Sequence, residues 1–170
     1  LRYHYTGIGP NTKTYNGLVA LGELMTGLGL GSGYEMHHMP SEQFTPEPGY
    51  YDAAFSSPPY FNLETYTDED TQCMNSCSNL DQWFEQYVTP TISMLHTALA
   101  NDGLYAVNIA DYKDGKEEFK IVDRWKQVSE DIGFTYVKQL DMLLNVRPGV
   151  GNGKLENSYK AEGIYIFKKS

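Results

Sequence analysis

Apolar residues recur along this chain in two rhythms. From Tyr15 to Leu28, the positions Leu18, Val19, Leu21, Leu24, Met25 and Leu28 follow helical spacing. Asp81 to Ala100 repeats that spacing through Trp83, Phe84, Tyr87, Val88, Ile92, Leu95 and Leu99. A third helix is expected over Glu117 to Asp131, on Phe119, Ile121, Val122, Trp125 and Val128. Short apolar runs between turn residues read as strands: Arg2 to Ile8, Tyr34 to Met39, Tyr51 to Ser56, Leu104 to Ile109, Phe134 to Asn145 and Ile164 to Phe167.

The punctuation agrees with this division. Pro10-Asn11-Thr12 supplies a turn and a helix cap, and Asn79 or Asp81 suits the start of the second helix. Gly27, Gly29, Gly31 and Gly33 follow a helix rather than open one, so they read as a C-cap and loop, not a phosphate cradle. Asn101-Asp102-Gly103 is expected to stop the second helix, and Gly133 the third. Residues 61–80 and 146–161 lack periodicity and read as long loops, which in a compact domain are usually functional.

Strands that alternate with helices imply an α/β fold, a Rossmann-like doubly wound and mostly parallel sheet with helices on both faces. No helix separates the last two strands, so they are expected as an antiparallel pair at one edge. At 170 residues, without repeats, the chain is expected to form a single catalytic domain over residues 1–170.

Composition narrows the partners. The formal net charge is −9 and there is no Lys/Arg run, which argues against unaided tight binding to duplex DNA. A nucleic-acid partner would need a local basic patch, another domain or a recognition subunit. Cys73 and Cys77 form a single Cys-x3-Cys pair, weak grounds for zinc, and read as reduced thiols. No apolar run is long enough to span a bilayer and Leu1-Arg2-Tyr3-His4-Tyr5 is not a signal peptide, so no membrane partner and a cytoplasmic location are expected.

The chemistry concentrates at Ser57-Pro58-Pro59-Tyr60, directly after the strand Tyr51 to Ser56. In open α/β sheets, ligands bind beyond the carboxyl ends of strands. Two prolines remove two backbone donors and fix φ near −65°. What remains is a stiff segment of acceptors, the Ser57 hydroxyl and nearby carbonyls. Acceptors suit an exocyclic amino group, whose hydrogens they take while its lone pair faces an electrophile. Tyr60 and Phe61 offer flat faces for an extruded base. A plain Pro-Pro turn over a packed aromatic uses the same residues.

The stretch Tyr51 to Tyr60 resembles the fourth motif of the amino-methyltransferases, the family that makes N6-methyladenine or N4-methylcytosine in DNA. Tyr5-Thr6-Gly7-Ile8-Gly9-Pro10-Asn11 is similar to the family's second motif, Ser41-Glu42-Gln43-Phe44 to its third, and Glu162 to Lys169 to its final strand. Trp83 to Tyr105 and Val107 to Asp111 resemble the helix and strand that follow the fourth motif.

The resemblance implies S-adenosyl-L-methionine as cofactor, held by Gly7, Gly9, Pro10, Asn11, Ser41 and Glu42. It implies direct methyl transfer to nitrogen, with Ser57, Pro58, Pro59 and Tyr60 as the catalytic segment. DNA is the implied substrate, with an amine or amide in RNA or protein as the alternative. Two features depart from the family. Its glycine-rich cofactor motif is absent and in this motif order belongs upstream of Leu1, so the sheet is expected to lack its first strand. The family's ribose-binding acid is Gly9 here, which leaves open a catalytically inactive subunit unless Asn11 or Glu42 substitutes.

Weaker candidates complete the reading. Asp111 ends the fourth strand and either lines the pocket or caps the strand. Arg147 and Lys154 lie in the second long loop and are candidates for phosphate contact. His37-His38 reads as structural rather than metal-binding.

Overall fold

The computed structural model describes residues 4–30, 33–61, 77–144 and 160–170. They divide into two compact units. One comprises Leu1–Pro46 with Pro59–Met94, the other Glu47–Pro58 with Leu95–Ser170.

The first unit opens with β1 (Tyr5–Ile8), α1 (Thr12–Gly27) and β2 (Tyr34–His37). β1 and β2 pair in parallel with Ile8 level with His37. α1 begins three residues before the expected Tyr15, because the Asn11 side chain accepts the Thr14 N–H at 2.8 Å and caps it there. The helix buries no residue. Its half-buried stripe is Tyr15, Val19 and Gly22, beneath Tyr34, whose hydroxyl donates to the Val19 carbonyl at 3.4 Å. A side chain at Gly22 would collide with the Tyr34 ring. Leu21, Leu24 and Leu28 are exposed.

A single turn of 3-10 helix, Ser41–Gln43, follows β2. Later in this unit come α2 (Leu80–Trp83), a π-helical turn (Phe84–Val88) and the start of α3 (Thr89–Ala98). Asn79 caps α2 by accepting the Gln82 N–H at 2.9 Å. The π turn has a local cause. The Thr89 N–H bonds to the Phe84 carbonyl, and the following Pro90 has no N–H to return to Gln86. Trp83, Phe84, Tyr87, Val88 and Ile92 are buried here.

The second unit holds a four-stranded sheet of order β3 (Tyr51–Ser56), β4 (Leu99–Ile109), β8 (Lys160–Lys169), β7 (Phe134–Leu144). β3 and β4 are parallel; β8 runs antiparallel to both β4 and β7. The fold is α/β with a mixed sheet. The antiparallel pairing of the last two strands agrees with the sequence pattern. So does the parallel character of the rest: β3, β4 and β7 run in one direction and β8 alone runs against them. β3 lies at one end of this order. Among the described residues it pairs only with β4, and Phe55 is 68% exposed.

Two further boundaries differ from the sequence reading. Asn101-Asp102-Gly103 does not lie in a stop between helix and strand: α3 ends at Ala98 and β4 starts at Leu99. The turn residues are absorbed as a bulge, where the register jumps from Tyr51 with Leu99 to Ala53 with Leu104, and Asp102 takes φ 66°. The helix expected over Glu117 to Asp131 starts only at Val122 (α4, Val122–Ile132). Before it stands a hairpin, β5 (Tyr112–Asp114) and β6 (Glu117–Phe119), closed by the two residues Gly115-Lys116. Gly115 takes φ 58°, and the Asp-Gly pair is a hairpin signal that the apolar spacing of Phe119, Ile121 and Val122 had concealed.

α4 buries Val122, Trp125 and Ser129, one stripe of its surface. Gly133 ends it in the left-handed region at φ 116°, its N–H returning to the Glu130 and Ser129 carbonyls. Tyr105 of β4 sits opposite Phe167 of β8 with rings stacked 4.7 Å apart. No helix among the described residues is long and apolar enough to cross a membrane.

Candidate active site

Each unit presents the ends of two parallel strands, and the candidates gather there. In the first unit, Gly9, Pro10 and Asn11 follow β1, while Ser41 and Glu42 follow β2. Because β1 and β2 are parallel, both loops leave the same end of their pair; the Gly9 N–H donates to the His37 carbonyl at 3.1 Å. His38 Nε2 donates to the Pro10 carbonyl at 2.9 Å and its ring stacks on Tyr15, which ties the two loops together. His37 Nε2 lies 3.2 Å from Glu35, with its ring against Phe44. The two histidines therefore have separate structural contacts.

Gly7 is the buried glycine of β1, and any side chain there would meet Met36 of the neighbouring strand. Gly9 differs: a Cβ added there would find no atom within 4 Å. Asn11 spends its side-chain oxygen on the cap of α1. Ser41 Oγ lies 3.2 Å from Thr91 Oγ1 of α3 and so fixes the turn against that helix. Thr91 was not legible as a site neighbour, since it lies 50 residues downstream.

Glu42 is half-buried. Burial pushes its carboxyl above the usual range, opposed by its backbone hydrogen bond and the Ser41 hydroxyl. The native state therefore holds this proton more tightly than the unfolded chain does. That contribution to stability is complete below the ordinary value of 4.5 and is lost as pH rises through the raised native value. Glu42→Gln should accordingly gain on the wild type as pH rises from 4 to 7, read as the difference between urea midpoints. A difference that stays constant with pH would contradict this.

In the second unit, Ser57 and Pro58 continue from the end of β3, Ser57 exposed and Pro58 buried. Asp111 comes two residues after β4, the parallel neighbour, so it leaves the sheet at the same end. Asp111 has a definite task. Its Oδ1 accepts the Ile121 and Val122 N–H groups at 2.9 and 3.0 Å, capping α4 from ten residues away. Lys120 Nζ stands 3.7 Å from Oδ2. Pro59 and Tyr60 belong to the first unit and are half-buried, while Phe61 is only 3% exposed. Arg147 and Lys154 lie outside the described residues, as does Cys73; Cys77 is buried, its Sγ 3.9 Å from Gln86 Oε1.

Solved structures share this fold. A SAM-dependent methyltransferase from Methanosarcina mazei matches over 98% of this chain and 82% of its own, with TM-score 0.58 and 11% identity. A candidate DNA modification methylase from Thermus thermophilus matches over 98% of this chain, with TM-score 0.51 and 12% identity. The fold is that of the SAM-dependent methyltransferases. A third likeness is the 1,6-didemethyltoxoflavin-N1-methyltransferase of Burkholderia thailandensis, solved with S-adenosylhomocysteine, with TM-score 0.52, 12% identity, and coverage of 99% of this chain and 72% of that one. The chain spans about half the length of the Thermus protein, 54% of it. No protein-family model and no curated protein sequence matches it. The neighbours with this fold act on different substrates, so fold alone does not choose among them.

Proposed function

We propose that this chain is the catalytic domain of an S-adenosylmethionine-dependent methyltransferase that modifies the exocyclic amino group of a base in DNA, N4 of cytosine or N6 of adenine. The observation that carries the reading is the acceptor segment Ser57-Pro58, which emerges at the carboxyl end of β3 beside the parallel strand β4. Ser57 Oγ and the Pro58 carbonyl accept the two amino hydrogens and turn the nitrogen lone pair outward. Tyr60 supplies the flat contact for the ring. S-adenosylmethionine, when bound, supplies the methyl group as an electrophilic carbon. The nitrogen then sheds a proton, and the exposed Ser57 gives it a path to water. Orientation and local electrostatics carry such a reaction, with no covalent enzyme intermediate.

The cofactor's place is assigned to the loops after β1 and β2. Gly9 leaves open space at that end, and the half-buried Glu42 is an acceptor for a hydroxyl or amino group. DNA contact at a net charge of −9 calls for a recognition subunit or further domain. Gly9, where the family has its acid, supports one second reading, a methyltransferase-fold subunit without activity.

The open space at Gly9 makes the two readings separable. An aspartate there restores a charged acceptor for the ribose hydroxyls. Gly9→Asp should bind S-adenosylmethionine roughly tenfold or more tightly than the wild type, by calorimetric titration. If the variant folds as the wild type does and neither binds at millimolar cofactor, the enzyme reading falls and the inactive subunit stands.

A further inference from the structure

The connection from β4 to α4 is longer than the fold requires. Links from strand to helix in α/β units commonly take about two to six residues. Here residues 110–121 intervene, and they are built rather than slack. Asp111 clamps the far end by accepting from Ile121 and Val122. At the base of the hairpin Phe119 is buried, and the Tyr112 ring lies flat on it, 4.9 Å away and 11° from parallel. Lys120 joins Asp111 to Glu118 across the same base, at 3.7 and 3.1 Å. The tip, residues 113–118, is exposed.

The position of this hairpin suggests what it does. Ser56 is level with Val107 in the parallel pair, so Ser57 and Pro58 leave the sheet beside Asn108 and Ile109, and the hairpin rises from the same end directly afterwards. A pinned excursion beyond the carboxyl ends of parallel strands is where a substrate-contacting wall belongs. Tyr112 is half-exposed with its ring held by Phe119, so it meets an aromatic ligand without losing much side-chain freedom. On the same face the hairpin pairs Asp114 with Glu117. Two carboxylates there repel phosphate, so this face suits a base ring rather than a nucleic-acid backbone.

We propose that the hairpin Tyr112–Phe119 is a substrate-specificity element, with Tyr112 as the stacking face for the amino-bearing base or its neighbour. The proposal rests on the amino-base reading above. Tyr112 is a binding residue in it, and Asp111 a positioning residue that acts through the hairpin's base.

The test is the affinity of the full chain for short single-stranded oligonucleotides rich in cytosine or adenine, followed by fluorescence anisotropy at about 50 and 200 mM salt, the range over which phosphate contacts show themselves. Tyr112→Ala should weaken binding at least about fivefold, and Tyr112→Phe should keep it, as stacking on any aromatic ring predicts. The fold-loss should be the same at both salt concentrations, because a stacking contact releases no counterions. Equal affinity of Tyr112→Ala and wild type overturns the hairpin's role and leaves the methyltransferase reading intact. So does a loss matched by a lower urea midpoint, or shared by Tyr112→Phe. Absence of wild-type binding to every oligonucleotide overturns the hairpin's role as a base-stacking element.

Discussion

Ser57→Ala is expected to lower methyl transfer to a base amino group by roughly 100-fold, the scale of removing one preorganised polar group from a reacting centre. The loss should fall on kcat. Ser57 is assigned to the amino group and not to the cofactor, so S-adenosylmethionine affinity should not change. Nor should stability change much, because Ser57 is exposed. Ser57→Thr keeps an acceptor at the same atom and should recover much of the rate. Steady-state kinetics with labelled cofactor separates these expectations. An unchanged kcat in Ser57→Ala would remove Ser57 from the reacting group; a loss of cofactor binding instead would make it part of a different site.

The second large effect concerns stability. Tyr105, Trp125 and Ser129 close a ring of hydrogen bonds inside the second unit. Trp125 Nε1 donates to the Tyr105 hydroxyl at 3.3 Å, that hydroxyl pairs with Ser129 Oγ, and Ser129 donates to the Trp125 carbonyl at 2.8 Å. Burial pushes the Tyr105 phenol well above its ordinary value, opposed by its bonds to Ser129 and Trp125, so it stays neutral and available as a donor. Its ring also stacks on Phe167 and meets Phe134 edge to face. Tyr105→Phe keeps the ring and strands the buried indole N–H of Trp125, for a cost of about 1–3 kcal/mol. Tyr105→Ala loses the ring as well and should cost about 3–5 kcal/mol, a large share of the stability of an ordinary domain. Urea unfolding of both variants, with the order wild type, Phe, Ala, checks the account. Equal midpoints for wild type and Tyr105→Phe would mean that the hydrogen-bond ring adds nothing.

Much of this architecture is readable in the sequence, for reasons that differ by element. The strand Tyr51 to Ser56 is found at its predicted bounds, because a short apolar run meets prolines that cannot extend a ladder. The cap of α1 is written in Asn11, though the helix begins earlier than its apolar spacing does. The hairpin at residues 112–119 was hidden. Phe119, Ile121, Val122 and Trp125 match helical spacing, and only Asp114-Gly115 betrays the turn. Asp111 shows why site roles are harder to read than elements. Its partners are the N–H groups of Ile121 and Val122, a pairing that chain folding creates and no local pattern announces. The acceptor character of Ser57-Pro58-Pro59-Tyr60 is legible because composition alone removes the donors.

The central claim is that the acceptor segment after β3 serves an amino group on a base. The direct measurement is to incubate the full protein with S-adenosylmethionine and DNA or RNA oligonucleotides, digest the products to nucleosides and identify methylated species by mass spectrometry. The account predicts N4-methylcytosine or N6-methyladenine in the DNA, strongly reduced in Ser57→Ala. Methylation confined to ring nitrogens, carbon or ribose, or amino methylation that Ser57→Ala leaves undiminished, would contradict it.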